Sequence, residues 1–422
     1  MVRALVLLTG SELVRGDLRD DNGAFLAREL TRLGARPERL VIAGDRPDEL
    51  GAALRQGLEA DLCVISGGLG PTHDDRTVEL LALETGRELF VDEGLRAQIE
   101  AVSRSVAEQL GRPYADFEPG VRKQASLPAG GVALGLAGTA PAVLLEHDGR
   151  VAVALPGPPG ELRRLWERVV EHDAVQRVLA RSRPPARRLF RVFGPSESAV
   201  ARVLAEAGEE EGGVEITVCA RDLEIAVDLI VPAGSAPAAE RLERSLRSAF
   251  SAELFAVDDE RSVAELVLDH ARAAGLRLAT AESCTGGLVA ARLTDVPGSS
   301  EVYVGGVVAY SDELKSSTLG VSGETLRAHG AVSKETAAAM AGGARARLGA
   351  DVGVAVTGVA GPGGGTPEKP VGLVCIHVEG PQGEVAWNGQ LPGDREAVRN
   401  RATALALHLL RQLLTRSSHE SV

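Results

Sequence analysis

Gly275-Leu276-Arg277-Leu278-Ala279-Thr280 runs directly into Ala281-Glu282-Ser283-Cys284-Thr285-Gly286-Gly287, and then into Leu288-Val289-Ala290-Ala291-Arg292-Leu293. The first six residues read as a short buried strand, and the last six have apolar spacing suited to a helix. A Ser, a Cys and a Thr therefore stand at a strand-to-helix turn that ends in two glycines. Amides at such a turn point outward and favour an anion or a developing oxyanion. Glycines let a ligand approach the backbone closely. The turn thus offers a nucleophile and an oxyanion site together. An ordinary helix N-cap uses the same residue types, so these residues alone leave both readings open.

The same alternation fills the first third of the chain. Arg3 to Thr9 reads as a buried strand, Asn22 to Leu33 as a helix closed by Gly34, and Arg39 to Ala43 as a second strand. Asp48 to Glu59 follows as a helix and Asp61 to Ser66 as a third strand; Arg150 to Leu155 and Pro159 to Val170 repeat the pair. This order predicts a parallel sheet with right-handed crossovers, with ligands beyond the carboxyl ends of the strands. Two loops fall there. One is Thr9-Gly10-Ser11-Glu12, leading to Asn22; the other is Ser66-Gly67-Gly68-Leu69-Gly70-Pro71-Thr72-His73-Asp74-Asp75. The glycines free amides for phosphate contacts. Asp74 and Asp75 supply hard oxygens for a divalent cation that would in turn hold a diphosphate. Their other reading is acidic charge at a helix N-terminus. His73 reads as a loop residue.

Arg181 to Arg188 has the composition of a solvated linker. A small α+β segment follows: a strand at Leu189 to Phe193, a helix at Ser196 to Ala207, a hairpin of Glu215–Ala220 with Leu223–Leu229 turning at Arg221-Asp222, and a helix at Ala238 to Phe250. It has no Gly-x-x-Gly clamp for RNA, and reads as a spacer or oligomer element. From Asp258 the last segment begins. Val302 to Tyr310 is a strand that leads to Lys315; Asp351 to Thr357 is a strand that leads to Thr357-Gly358-Val359-Ala360-Gly361; Gly393 to Arg399 opens a terminal helix. Three strand ends thus carry a hydroxyl nucleophile, a Tyr/Lys pair and a glycine loop. A Ser needs a base, and a desolvated Lys serves as one; Tyr310 would relay the proton or hold the Lys. A core-edge aromatic and a surface cation are the plainer readings of these two. The chain contains only four lysines, Lys123, Lys315, Lys334 and Lys369, among 46 basic residues, so a Lys at a strand end is informative. Cys284 is the competing nucleophile, since a helix N-terminus lowers a thiol pKa; no His partner stands in these motifs, which favours Ser283 with Lys315.

The 422 residues carry a net charge of −13, which argues against broad nucleic-acid binding. Cys63, Cys219, Cys284 and Cys375 are scattered, without metal spacing or a disulfide framework, as suits a reducing compartment. Gly10 and Glu12 interrupt the apolar N-terminus early, and no run is long enough to span a membrane. The expectation is a cytoplasmic protein.

The loop at Ser66–Thr72 with Asp74-Asp75-Arg76-Thr77, the Thr9–Leu13 segment with Gly16-Asp17 and Asn22, and Leu155-Pro156-Gly157-Pro158-Pro159-Gly160-Glu161 resemble the CinA family. So do Ala281–Gly287, Tyr310-Ser311-Asp312-Glu313-Leu314-Lys315, and Thr357–Pro362 with Gly364-Gly365-Thr366 and Lys369-Pro370-Val371-Gly372, which look like its C-terminal, PncC-type domain. The resemblance implies a multi-domain α/β protein. A doubly wound molybdopterin-binding-like domain over 1–172 would be associated with metal-dependent hydrolysis of ADP-ribose. A small KH-type α+β domain over 186–256 and a nicotinamide-nucleotide amidohydrolase domain over 258–417 would follow. In that picture Ser283 attacks the carboxamide of nicotinamide mononucleotide, Lys315 is the base and Tyr310 assists. Amides near Thr285-Gly286-Gly287 or the Thr357, Gly358, Ala360 and Gly361 loop hold the oxyanion, and Arg395 and Arg399 meet the phosphate. In the first domain Gly10, Glu12, Asn22, Ser66, Gly67, Gly68, Gly70, Pro71 and Thr72 would bind nucleotide, and Asp74 and Asp75 a divalent metal ion of unspecified identity. The amidohydrolase site needs no cofactor. Family analogy adds a homodimer, with no nucleic-acid or membrane partner. The chain departs from the family at Gly135, where an Asn is usual, and at Ala142, where the run Gly138-Thr139-Ala140-Pro141 usually ends in Gly. The other reading of the first domain is a nucleotide- or pterin-binding module without turnover, in a competence-linked adaptor.

Overall fold

The computed structural model describes residues 2–208 and 212–416; residues 1, 209–211 and 417, which fall in the expected domains, lie outside the described residues. The chain forms two compact units, Met1–Pro185 and Ala186–Val422.

In the first unit β1 (Val2–Thr9), β2 (Ala35–Ala43) and β3 (Leu62–Ser66) are parallel. A small antiparallel pair, β4 (Leu89–Val91) with β5 (Ser126–Pro128), lies apart from the main sheet. The sheet is completed by β6 (Val132–Leu136), β7 (Pro141–His147) and β8 (Arg150–Leu155), in the order β2-β1-β3-β8-β7-β6. Side chains alternate across β1: Val2, Ala4, Val6 and Leu8 enter one core with Leu26 and Leu30 of the helix Asn22–Arg32. Leu5 and Leu7 enter the other, with Leu50 and Leu54 of the helix Pro47–Gly57. Both faces are covered, as a doubly wound sheet requires. The wholly parallel expectation is corrected at one edge, where β6, β7 and β8 pair antiparallel. The cause is local: Asp148 and Gly149 both have positive φ, a two-residue turn that returns the chain beside itself.

In the second unit β9 (Ala186–Phe193), β10 (Glu215–Arg221), β11 (Glu224–Val231) and β12 (Leu254–Val257) form an antiparallel sheet ordered β10-β11-β9-β12. Burial alternates strictly along β11, and its inner face packs with Phe190 and Val192 against Val200, Leu204, Leu242 and Leu246 of two helices. Two sequence readings change here. The hairpin turns at Asp222-Leu223, both at positive φ, one residue later than expected. Arg187 and Arg188 are strand residues rather than part of a solvated linker; Arg187 pairs with Asp228 and Glu260, and Arg188 with Glu243 and Asp258.

The remaining sheet is β14-β13-β15-β16-β17, from β13 (Leu278–Glu282), β14 (Tyr303–Val308), β15 (Val352–Gly358), β16 (Leu373–Gly380) and β17 (Gly383–Gln390). The first three are parallel and the last two antiparallel. The helix Val263–Ala274 is opened by a capping box of Ser262 and Glu265 and closed by Gly275; with the helix Arg395–Thr415 it covers one face. The helix Lys334–Leu348 covers the other. Because β13, β14 and β15 are adjacent and parallel, their carboxyl ends share one edge of the sheet. Phe193 and Leu223 pack against the core of this sheet, which joins the segment beginning at Ala186 to it as one unit.

Candidate active sites

β13 runs on through Glu282, two residues beyond the strand read from sequence. Ser283 follows at once, 8% exposed, its amide donating to Val356 O at 2.8 Å and its carbonyl accepting from Gly286 N at 3.1 Å. Among the described residues its hydroxyl has no hydrogen-bond partner. Next door, β14 ends at Val308, and Ala309 N donates to Glu282 O at 2.8 Å. Lys315 lies on the short helix Asp312–Ser317, capped by Ser311. It is 1% exposed, its Nζ donating to Ala309 O at 3.1 Å and standing 3.6 Å from Asp312 Oδ1. Lys315 Nζ thus sits on the residue that pairs with the end of the strand preceding Ser283. Tyr310 is 59% exposed, and its hydroxyl accepts from Arg395 Nη2 at 2.9 Å; Arg395 Nη1 donates to Gly361 O at 2.7 Å. One guanidinium therefore ties the Tyr310 strand end to the glycine loop after β15.

Two of the amides expected to face an oxyanion, those of Gly286 and Gly287, are engaged within the turn. Gly287 is the N-cap residue of the helix Leu288–Thr294, with φ +98° and no side chain to act as acceptor. Glu282, 1% exposed, supplies one from five residues upstream. Its carboxylate accepts from Gly287 N at 3.0 Å, Val289 N at 3.1 Å, Ala290 N at 2.8 Å and Thr285 Oγ1 at 2.7 Å. Gly286 N is spent on Ser283 O. Arg399 Nε and Nη2 donate to the carbonyls of Cys284 and Thr285 at 3.2 and 2.8 Å, so this cation holds the turn. Thr357 is pinned by its hydroxyl to Ala331 O at 2.7 Å, and Ala360 is buried in the core. Gly358 is packed so closely that a Cβ there would lie 2.7 Å from Leu373 O. Cys284 is 5% exposed, and burial pushes its thiol up to about 12. The helix N-terminus does not activate it, because the Glu282 carboxylate already occupies that end. Glu282 carried no assignment from sequence; its signal was Gly287, a helix start without an acceptor of its own.

In the first unit the strand ends line a cleft of about 420 Å³. Gly10, Glu12, Gly67, Gly68, Gly70, Pro71, Asp74 and Asp75 line it as expected residues. Asn22, Ser66 and Thr72 do not line it: the first two are buried and Thr72 is exposed. Asn22 Nδ2 donates to Ser66 Oγ at 3.0 Å and Gly157 O at 2.7 Å, and so braces the start of its helix against the end of β3 and the loop after β8. Thr72 Oγ1 stands 2.5 Å from Asp74 Oδ1 and 2.6 Å from Asp75 Oδ2. A hydroxyl carries one hydrogen, so two carboxylates converging on it leave one oxygen pair without a proton between them. The Thr72 hydroxyl holds the Asp74 carboxyl below its usual range. Two converging carboxylates suit a cation that takes its other ligands from water and phosphate. Among the described residues no three His, Cys, Asp or Glu side chains gather as a complete metal site. Asp45, Thr139 and Glu161 also line the cleft. Asp45 was legible as a carboxylate just past the end of β2; Thr139 had no local signal. Burial pushes Glu161 up from the usual carboxylate range. Gly135 lies in the irregular pairing of β6, and Ala142 is wholly buried in β7. Neither departure lines the cleft.

Two family models match the chain. The CinA C-terminal domain matches residues 260–414, and the probable molybdopterin binding domain matches residues 5–176. A CinA-like protein of Mycolicibacterium paratuberculosis is 44% identical over 436 residues, covering 98% of each chain. One from Mycobacterium tuberculosis is 43% identical over 428 residues, covering 98% of this chain and 97% of that one. The crystal structure of competence/damage inducible protein CihA from Agrobacterium tumefaciens aligns at 43% identity over 36% of this chain and 94% of that chain, with a TM-score of 0.35.

Proposed function

The chain belongs to the CinA family, and from that premise we propose that its second unit hydrolyses nicotinamide mononucleotide to nicotinate mononucleotide and ammonia. The observation that supports this reading is that Ser283 follows the carboxyl end of β13 while Tyr310 and the buried Lys315 follow that of β14, its parallel neighbour. Ser283 Oγ attacks the carboxamide carbon, and its proton passes to Lys315 Nζ. The tetrahedral intermediate collapses to an acyl-enzyme as that proton goes to the departing ammonia. Water then adds to the acyl carbon as Lys315 Nζ takes one of its protons, and that proton passes to Ser283 Oγ as the Oγ–C bond breaks and the acid departs. Arg395, beside Tyr310, is the cation offered to the ligand's phosphate. Oxyanion donors belong to the loop after β15 in this reading, since the amides of Gly286 and Gly287 are taken. Ammonia release from nicotinamide mononucleotide is the test. Ser283→Ala should lower it by at least about 10³-fold with an unchanged melting temperature; equal turnover in wild type and variant removes Ser283 from the mechanism.

For the first unit we propose hydrolysis of the ADP-ribose pyrophosphate. Asp74 and Asp75 would hold a divalent cation, which supplies charge neutralisation at the diphosphate; the glycine loop Gly67–Gly70 would lie along the phosphates. A smaller lobe of about 150 Å³ adjoins the cleft and shares the Gly68–Gly70 wall. That is below the roughly 300–1,000 Å³ of a whole small-ligand site and suits one ring of a nucleotide. Binding without turnover is the second reading, favoured by the hydrogen bonds that already tie Asp74 and Asp75 to Thr72. AMP release from ADP-ribose, with and without a divalent cation, separates the two.

A further inference from the structure

The turn that carries Ser283 is held from both sides by charge. On one side a single buried carboxylate, Glu282, receives three backbone amides and one hydroxyl, all between residues 285 and 290. On the other, the Arg399 guanidinium donates to the carbonyls of Cys284 and Thr285. Ser283 lies between Glu282 and this turn, with its own amide on Val356 O and its carbonyl on Gly286 N. Every recorded backbone contact of Ser283 is therefore fixed, and only its hydroxyl is left to meet another molecule. Hydrogen bonds to a charged acceptor are about twice as strong as neutral ones, and a buried carboxylate with four donors cannot be replaced by water without rebuilding the turn.

We propose that Glu282 is the positioning residue of the nucleophile: its carboxylate, anchored at the end of β13, fixes the turn 283–290 so that Ser283 Oγ faces the strand-end edge shared with Lys315. This rests on the reading of Ser283 as nucleophile. It also explains why an acidic residue stands beside a serine that must lose a proton. The carboxylate is turned inward onto helix amides, so its charge is spent on the backbone and not on the hydroxyl. Glu282 does not touch substrate in this account; it acts through Ser283.

The test is Glu282→Gln in the full-length chain, with Glu282→Ala beside it. Gln keeps the volume but turns one acceptor into a donor facing the Ala290 amide. Misplacement of a reacting group by about 1 Å costs on the order of 10²-fold. The expectation is a fall of about that size in kcat for Glu282→Gln, with KM changed by less than about threefold, a melting transition that remains cooperative, and a matching fall in the rate at which a phosphonofluoridate labels Ser283. Formate should restore part of kcat in Glu282→Ala by seating among the vacated donors, which a general loss of folding would not permit. Wild-type kcat and wild-type labelling in a folded Glu282→Gln protein overturn the inference while the amidohydrolase reading stands. If wild type labels at Ser283 but releases no ammonia, the substrate reading fails and the labelling rates still decide the role of Glu282. If wild type does neither, Ser283 is not a poised nucleophile and the inference falls with the reading.

Discussion

Cys284 sits beside Ser283, the nucleophile proposed above, and is the competing nucleophilic side chain of the turn. Its thiol is pushed up to about 12, chiefly by burial, so on the order of 10⁻⁵ to 10⁻⁴ of it is ionised at pH 7.5. Thiolate is the reactive form. Burial likewise pushes Cys63 up to about 12 and raises Cys375, whereas Cys219 is exposed. Iodoacetamide at pH 7.5 should therefore modify Cys219 alone in the folded protein, as read by mass spectrometry, and the modified protein should keep its ammonia release. Labelling of Cys284 at a rate like that of Cys219 would reopen its claim as nucleophile. Its sulfur packs toward Gly358, 3.1 Å from where a Cβ would stand, so the side chain fills space between two strand-end loops.

Between elements, the terminal helix meets the middle sheet through one buried cluster. His408, wholly buried, stacks on Phe193 with ring centroids 3.7 Å apart, and its Nε2 lies 2.8 Å from Glu224 Oε1. Arg191 approaches the other carboxylate oxygen at 2.9 Å, and Arg411 adds positive charge nearby. Burial lowers the His408 pKa below 6.5, outweighing the pull of Glu224. Glu224 is also lowered: burial raises it, but the hydrogen bond and charge from His408 and Arg191 prevail. Both shifts carry the same sign for stability. The unfolded chain binds a proton at His408 where the folded one does not, so stability is full above pH 6.5 and falls as pH drops through the folded His408 value. Glu224 adds a second loss below about pH 4.5. The melting temperature of the second unit should decline between pH 6.5 and 5, and His408→Leu should flatten that decline. An equal slope in the variant would assign the acid sensitivity to other groups.

At the scale of the whole molecule, each buried cluster lies entirely within Met1–Pro185 or within Ala186–Val422. Each unit thus has its own core, and each candidate site is built from residues of one unit. The two reactions proposed above, each on its own core, predict separable losses. Asp75→Asn should abolish AMP release from ADP-ribose and leave ammonia release unchanged; Ser283→Ala should do the reverse. Both activities measured on both full-length variants give the answer, and a cross-effect of more than a few-fold would mean that the sites are coupled. Among the described residues no helix is long and apolar enough to cross a membrane.

The sequence by itself determined the strands and helices that carry the sites, because their signals are local: a run of apolar residues before a glycine loop, a Ser before a helix, a Gly after one. The positions of Ser283, Lys315, Tyr310 and Arg395 in the fold were legible for the same reason, each lying at or near a strand end or a helix start. Some local signals passed unread, notably Asp148-Gly149, which turns β7 back on β8. Other features have no local signal. That Arg187 and Arg188 are paired within a sheet depends on Asp228, Glu243, Asp258 and Glu260, up to 73 residues away. That Arg399 grips the carbonyls of Cys284 and Thr285 depends on a helix more than a hundred residues downstream. Only the tertiary structure decided which hydrogen-bonding groups near Ser283 were already spent. Side-chain composition shows how many donors and acceptors a segment brings, but their pairing is settled when distant segments pack and water is excluded.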